Sequence, residues 1–347
     1  MKFRNHLIIV LLLPLQLLAF QKTNITTPKS IDSLLSSYHK KNEFNGNILV
    51  VKNNTILLQK SYGYATANKK DLLTETYRFN IGSIYKEFPA AAIMQLREQH
   101  QLKVTDTISK YLKNLPEWSN QITIAQLLNY STGLPQIPWG RFFQQGTEIN
   151  ETNLMSFIKN EATLQFKPGT DYLYTNCSPI LLNRIVTSIA GEDFDSYVKN
   201  HLFTPYNLNG AVIPAKFPYS DSKNMAEPFN ANFEADRFKM NYPYILFSLT
   251  TTDLYQWFRQ LDNEKIINKQ SLQLLSQPAN TQLALGSTKW EGNTLVKHQH
   301  HGSAQNFESL ATHYLEDDVY IILATNQKNG NLHVLTETIK TLLDSQQ

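Results

Sequence analysis

Residues 79–96 read FNIGSIYKEFPAAAIMQL, and this stretch decides the fold. Gly82 and Ser83 open an apolar, alanine-rich segment of helical period, and Lys86 follows three residues after Ser83. On a helix that spacing sets the hydroxyl and the ammonium on one face, one turn apart. A free serine hydroxyl is a weak nucleophile, and a positioned base must take its proton as it attacks a carbonyl. Lysine serves as that base only where burial or other cations depress its pKa toward neutrality. Ser83 also sits near a helix N-terminus, where peptide dipoles favour developing negative charge. Taken alone, the pair reads better as a capping serine beside a solvated lysine, so the rest of the chain decides.

Working outward, Phe166-Lys-Pro-Gly-Thr-Asp-Tyr-Leu-Tyr-Thr-Asn176 forms a second cluster. Pro168-Gly169 forces a turn, and Tyr174 and Asn176 point the same way if the segment is extended. A phenol beside a lysine acts as a tyrosinate or as a proton relay, and an amide orients the lysine or a substrate amide. Cys177, the only cysteine, reads as a small buried apolar residue and excludes an intramolecular disulfide. The third cluster is Lys297-His-Gln-His-His-Gly-Ser303. His298 and His300 share one strand face, His301 points away, and no acidic or thiol partner is spaced to close a metal site. Gly302 allows close backbone approach, and the N–H of Ser303 pairs with that of Ser83 as an oxyanion hole.

Around these clusters the chain begins and ends in strands. An amphipathic helix over 31–38 precedes a hairpin, Gly46–Lys52 and Thr55–Gly63, turned at Asn53-Asn54. Short helical pieces cover 108–115 and 122–130, with helices near 153–160, 180–190, 195–202 and 252–261. Residues 212–241 read as a long ordered loop bordering a binding site. Strands follow over 297–300, 307–314 and 319–325, then a helix over 332–343. The expected class is α+β: an antiparallel sheet flanked by helices, with an inserted helical subdomain over roughly 95–245.

The N-terminus MKFRNHLIIVLLLPLQLLAFQ has a basic start and a short, Pro-interrupted apolar run. It reads as a signal peptide over 1–19, with a domain over 20–347 that is periplasmic or secreted, or membrane-anchored if the signal is uncleaved. Of 32 basic residues Lys2 and Arg4 lie in that segment, leaving 30 against 29 acidic ones. That balance implies no nucleic-acid or other polyanionic partner, and no partner protein is implied.

Ser83-Ile-Tyr-Lys86, Tyr174-Thr-Asn176 and His300-His-Gly302, in this order, resemble the serine β-lactamase and penicillin-binding protein superfamily, in the branch around class C β-lactamases. Leu127–Pro135, Phe203-x-Pro205 and Ser248–Leu254 extend the resemblance over nearly the whole mature chain. It implies a β-lactamase/transpeptidase-like fold with the active site between sheet and helical subdomain. Ser83 is then the acylated nucleophile, Lys86 and Tyr174 share the proton transfers, and Asn176, His300 and Gly302 bind or orient the substrate. His300 stands where penicillin-recognising members often carry a lysine, which shifts weight from carboxylate-bearing substrates toward esters or other acyl compounds. Tyr85, Pro89, Tyr130, Phe247 and Asn306 depart from the family pattern and imply a reshaped pocket.

The expected function is an exported serine hydrolase working through an acyl-enzyme on Ser83, without metal or cofactor, on a small-molecule or peptide ester or amide. The alternatives are a true class C-like β-lactamase, a D,D-peptidase or D-aminopeptidase, and a non-catalytic binding protein with a retained cleft.

Overall fold

The computed structural model describes residues 26–144, 149–215, 219, 223–237, 240–241, 246–277 and 281–345. The segment read as a signal peptide lies outside them, as does part of the long loop over 212–241. No helix among the described residues is long and apolar enough to cross a membrane.

The N-terminal helix α1 (Thr26–Lys40) leads into β1 (Gly46–Lys52) and β2 (Thr55–Tyr62). Asn53 and Asn54 turn this hairpin with φ of 49° and 58°, a left-handed pair that matches strand twist. Two two-stranded ribbons follow, β3 (Phe79–Asn80) with β6 (Ser248–Leu249) and β4 (Ile149–Asn150) with β5 (Met240–Asn241). The chain closes with β7 (Ser287–Glu291), β8 (Thr294–Ala304), β9 (Phe307–Tyr314) and β10 (Val319–Thr325). These complete a six-stranded antiparallel sheet in the order β2-β1-β10-β9-β8-β7.

Both faces of this sheet are covered, so its central strands read as unbroken apolar runs. Ile48, Val50, Ile321 and Leu323 meet Ile31 and Leu35 of α1 and Leu335 and Ile339 of the last helix, α10 (Leu332–Asp344). Leu49, Val51, Tyr320 and Ile322 face the larger core on the other side. That core receives α2 (Glu87–Glu98), α3 (Ile124–Leu128), α4 (Trp139–Gln144), α5 (Glu151–Asn160), α6 (Cys177–Ala190), α7 (Phe194–Tyr197), α8 (Thr251–Asp262) and α9 (Lys269–Ser276). The α+β architecture with inserted helices is the one expected from sequence.

Helix boundaries follow local chemistry. Thr250 and Asp253 form a reciprocal capping box that starts α8, and Thr123 with Gln126 does the same for α3. Gly191 ends α6 at φ 73°. Pro89 is the third residue of α2, in the turn where a helix leaves its N–H groups free, and interrupts nothing. Phe247 and Phe88 stack at 4.9 Å and 9°, and Tyr85 stacks on Phe247 at 6.0 Å. The departures at 85 and 247 thus fill one aromatic core beneath the start of α2.

Candidate active site

The segment Gly82–Lys86 folds as a 3₁₀ turn rather than the first turn of α2. Residues i and i+3 eclipse in a 3₁₀ turn, which brings Ser83 and Lys86 closer to register than an α-helix does. Gly82 takes φ +51° there, and its N–H donates to Asn80 Oδ1 at 2.9 Å. A Cβ at Gly82 would lie 2.2 Å from the Ser303 nitrogen, and one at Gly302 would lie 1.9 Å from the Ile81 carbonyl oxygen and 2.9 Å from the Ser83 nitrogen. The turn and strand β8 are therefore pressed backbone to backbone at the two amides expected to form the oxyanion hole. Gly302→Val is expected to drive β8 outward, and a displacement near 1 Å lowers turnover about 10²-fold; kcat of the purified, folded variant checks this.

Lys86 Nζ donates to Ser83 Oγ at 2.8 Å, and Tyr174 Oη donates to the same oxygen at 2.9 Å. Lys86 is 2% exposed, with its ammonium 4.7 Å from the Tyr85 ring and 5.0 Å from that of Tyr174. Burial pulls its pKa down to about 7, so an appreciable fraction is neutral in ordinary buffers. Burial drives Tyr174 the other way, up to about 12, with the Ser83 contact opposing the rise. The phenol therefore stays protonated, which selects the relay over the tyrosinate. Tyr130 packs on the Tyr174 ring at 4.7 Å and holds it in place.

A cleft of about 230 Å³ opens over these groups, lined by Ser83, Lys86, Asn176, Ser303, Trp139 and Gln305 among others. Asn176 faces the cleft from the residue before α6, and no hydrogen bond joins it to Lys86 among the described residues. Cys177 behind it is fully buried, its thiol pushed up to about 12 by burial. His300 does not line the cleft; it is 1% exposed, and its Nδ1 donates to Glu87 Oε1 at 2.6 Å. His301 points to the opposite face, where its Nε2 meets Glu308 at 2.8 Å. No group of the described residues is placed to hold a metal ion.

Sequence reasoning missed Trp139 and Gln305, which carry no local signal for a cleft, and it missed Glu87. A carboxylate next to the site lysine in an otherwise apolar helix was a readable sign.

The fold and this constellation define a β-lactamase-type protein. The chain belongs to the beta-lactamase family, whose model matches residues 31–343. It is 26% identical over 327 residues to the putative penicillin-binding protein PbpX of Bacillus subtilis, covering 90% of this chain and 78% of that one. A penicillin-binding protein from Bacillus halodurans superposes with a TM-score of 0.77 at 21% identity, over 89% of this chain and 98% of that one. A class C β-lactamase superposes with a TM-score of 0.73 at 17% identity, over 92% and 96% of the two chains.

Proposed function

We propose that the chain is an exported serine hydrolase that forms an acyl-enzyme on Ser83 and passes the acyl group to water. The observation that carries this reading is the buried, near-neutral lysine 2.8 Å from a serine hydroxyl at the floor of a cleft. Burial alone neutralises a core lysine; what a structural lysine does not need, and a general base does, is a serine hydroxyl within hydrogen-bond reach at an open cleft.

Neutral Lys86 takes the Ser83 proton as Oγ bonds to the substrate carbonyl carbon. The carbonyl oxygen becomes an oxyanion beside the N–H groups of Ser83 and Ser303. When the intermediate collapses, Tyr174 gives its proton to the departing oxygen or nitrogen and recovers one from the Lys86 ammonium. Water then attacks the acyl-enzyme, with the same pair removing its proton and returning one to Ser83. Asn176 and Gln305 border the path of the acyl chain.

Hydrolysis of a short p-nitrophenyl ester by the purified protein tests the reading; no turnover and no adduct on Ser83 would leave a binding-only cleft. Tyr174→Phe keeps the ring but removes the relay, and is expected to lower kcat for that ester by about 10² to 10³-fold. Equal rates for Tyr174→Phe and wild type would remove Tyr174 from the mechanism.

A second reading, a β-lactamase or D,D-peptidase taking carboxylate-bearing substrates, has one observation in its favour. Exposed Lys328 donates through Nζ to Ser303 Oγ at 2.7 Å, setting a cation at the rim of the cleft where His300 supplies none. A chromogenic cephalosporin discriminates: rapid hydrolysis marks a β-lactamase, and stable labelling of Ser83 marks a peptidase.

A further inference from the structure

Behind the cleft, a chain of charged side chains runs through the core that none of the steps above uses. Glu87, fully buried, accepts three N–H groups: Trp257 Nε1 at 2.6 Å on Oε2, and on Oε1 His300 Nδ1 at 2.6 Å and His298 Nε2 at 3.2 Å. His298, also fully buried, meets acceptors at both ring nitrogens, with Asp262 Oδ1 at 2.8 Å on Nδ1, and Glu87 Oε1 and the Leu285 carbonyl at 3.0 Å on Nε2. A ring with acceptors on both sides satisfies them only as the imidazolium. Its cation stacks on Phe258 at 4.2 Å. Asp262 Oδ2 in turn receives Nδ1 of His313 at 2.7 Å.

His300 is different. Its Nδ1 is committed to Glu87, while its buried Nε2 has no hydrogen-bond partner among the described residues. The charged groups acting on it are Glu87 and Lys86 from the turn and α2, and His298 from its own strand; β9 presents Ala311 opposite it, and Gly286 packs against its ring. Burial, His298 and Lys86 together outweigh Glu87 and hold the ring in its neutral form. A neutral ring that donates from Nδ1 keeps Nε2 as a bare lone pair.

We propose that Glu87 is a positioning residue: by accepting from Nδ1 of His300 it fixes that ring as the uncharged Nδ1–H tautomer beside Lys86, and by bridging His298 and His300 to the start of α2 it holds β8, with Gly302 and Ser303, against Ser83. The proposal rests on the hydrolase reading for its catalytic consequence, but the tautomer does not. The consequence follows from charge and distance. A second cation in the wall would oppose proton uptake by Lys86, and a loosened β8 would move the Ser303 N–H away from the acyl oxygen.

Glu87→Leu tests this because its side chain offers no acceptor where Glu87 offers two. Nδ1 of His300 then has nothing to donate to, and the ring is released to the Nε2–H form that a free imidazole favours. Long-range nitrogen–proton NMR of the histidine-labelled full chain, with His300→Gln for assignment, reads the tautomers directly. The expected result is Nδ1–H for His300 and a doubly protonated His298 in the wild type, and Nε2–H for His300 in Glu87→Leu. The kcat of that variant falls about 10²-fold with KM little changed. Glu87→Asp, which keeps the charge, retains the wild-type tautomer and recovers part of the rate. A wild-type His300 protonated at Nε2 would overturn the proposal. So would a fall in kcat with the tautomer unchanged, which marks Glu87 as merely structural. The wild-type spectrum needs neither a variant nor turnover, so it stands even if the wild type forms no adduct on Ser83, the outcome that defeats the hydrolase reading instead.

Discussion

Ser83→Ala is expected to abolish hydrolysis of a short p-nitrophenyl ester, a loss on the order of 10⁶-fold when the nucleophile of an acyl-transfer centre is removed. The hydroxyl is only partly buried and lines the cleft, so water from the cleft takes its place beside Lys86 and Tyr174 when it is removed. The cost to stability is therefore about 1 kcal/mol or less, and the thermal transition stays close to that of the wild type. Loss of turnover with the fold intact separates a catalytic role for Ser83 from a structural one. Unchanged turnover would remove Ser83 from the chemistry.

Lys86→Met makes the second large change, and in two directions. Removing the proposed base is expected to lower kcat by about 10⁴-fold. Stability moves the other way. In the folded chain burial depresses Lys86 to about 7, against 10.5 for a free side chain. Between those values the unfolded chain binds more protons than the folded one, so this group disfavours folding increasingly as pH falls from about 10 to 7, and fully below that. A methionine of similar length removes the penalty, about 5 kcal/mol at full protonation, and is expected to raise the unfolding midpoint at neutral pH by a few degrees or more. The same depressed pKa fixes the sign of the rate profile. Wild-type kcat is expected to rise with pH through about 7 as Lys86 loses its proton, then level off. Thermal melts and a pH series on the ester check both statements.

The sheet was legible where both of its signals were local. Asn53-Asn54 marked the first hairpin, and Val319–Thr325 read as a strand because every residue of β10 is buried. Strand β7 was missed because Ser287–Glu291 alternates between exposed and half-buried at the sheet edge and carries one large apolar residue, Trp290. The start of β8 was missed as well, since the expected strand over 297–300 extends from Thr294 to Ala304. Helix α9 has only Leu272, Leu274 and Leu275 as apolar markers, too few to declare a period.

At the site, the spacing of Ser83 and Lys86 needed only a helical turn, and the sequence supplied it. That the turn is 3₁₀ depends on Gly82 and on β8 pressing against it, contacts made by residues more than 200 positions away. The burial of His300 was hidden for the same reason. An imidazole at that position reads as a substrate contact until Glu87, 213 residues earlier, is seen to hold it. Pairings across such separations leave no mark on local composition.

The central claim is that Ser83 carries the acyl group. Intact-mass spectrometry of the full chain after incubation with an ester or β-lactam acylating probe, followed by peptide mapping, measures it directly. A single added acyl mass on the peptide containing Ser83, absent from Ser83→Ala, is the result expected here. An unmodified wild type, or an adduct that persists in Ser83→Ala, would contradict it.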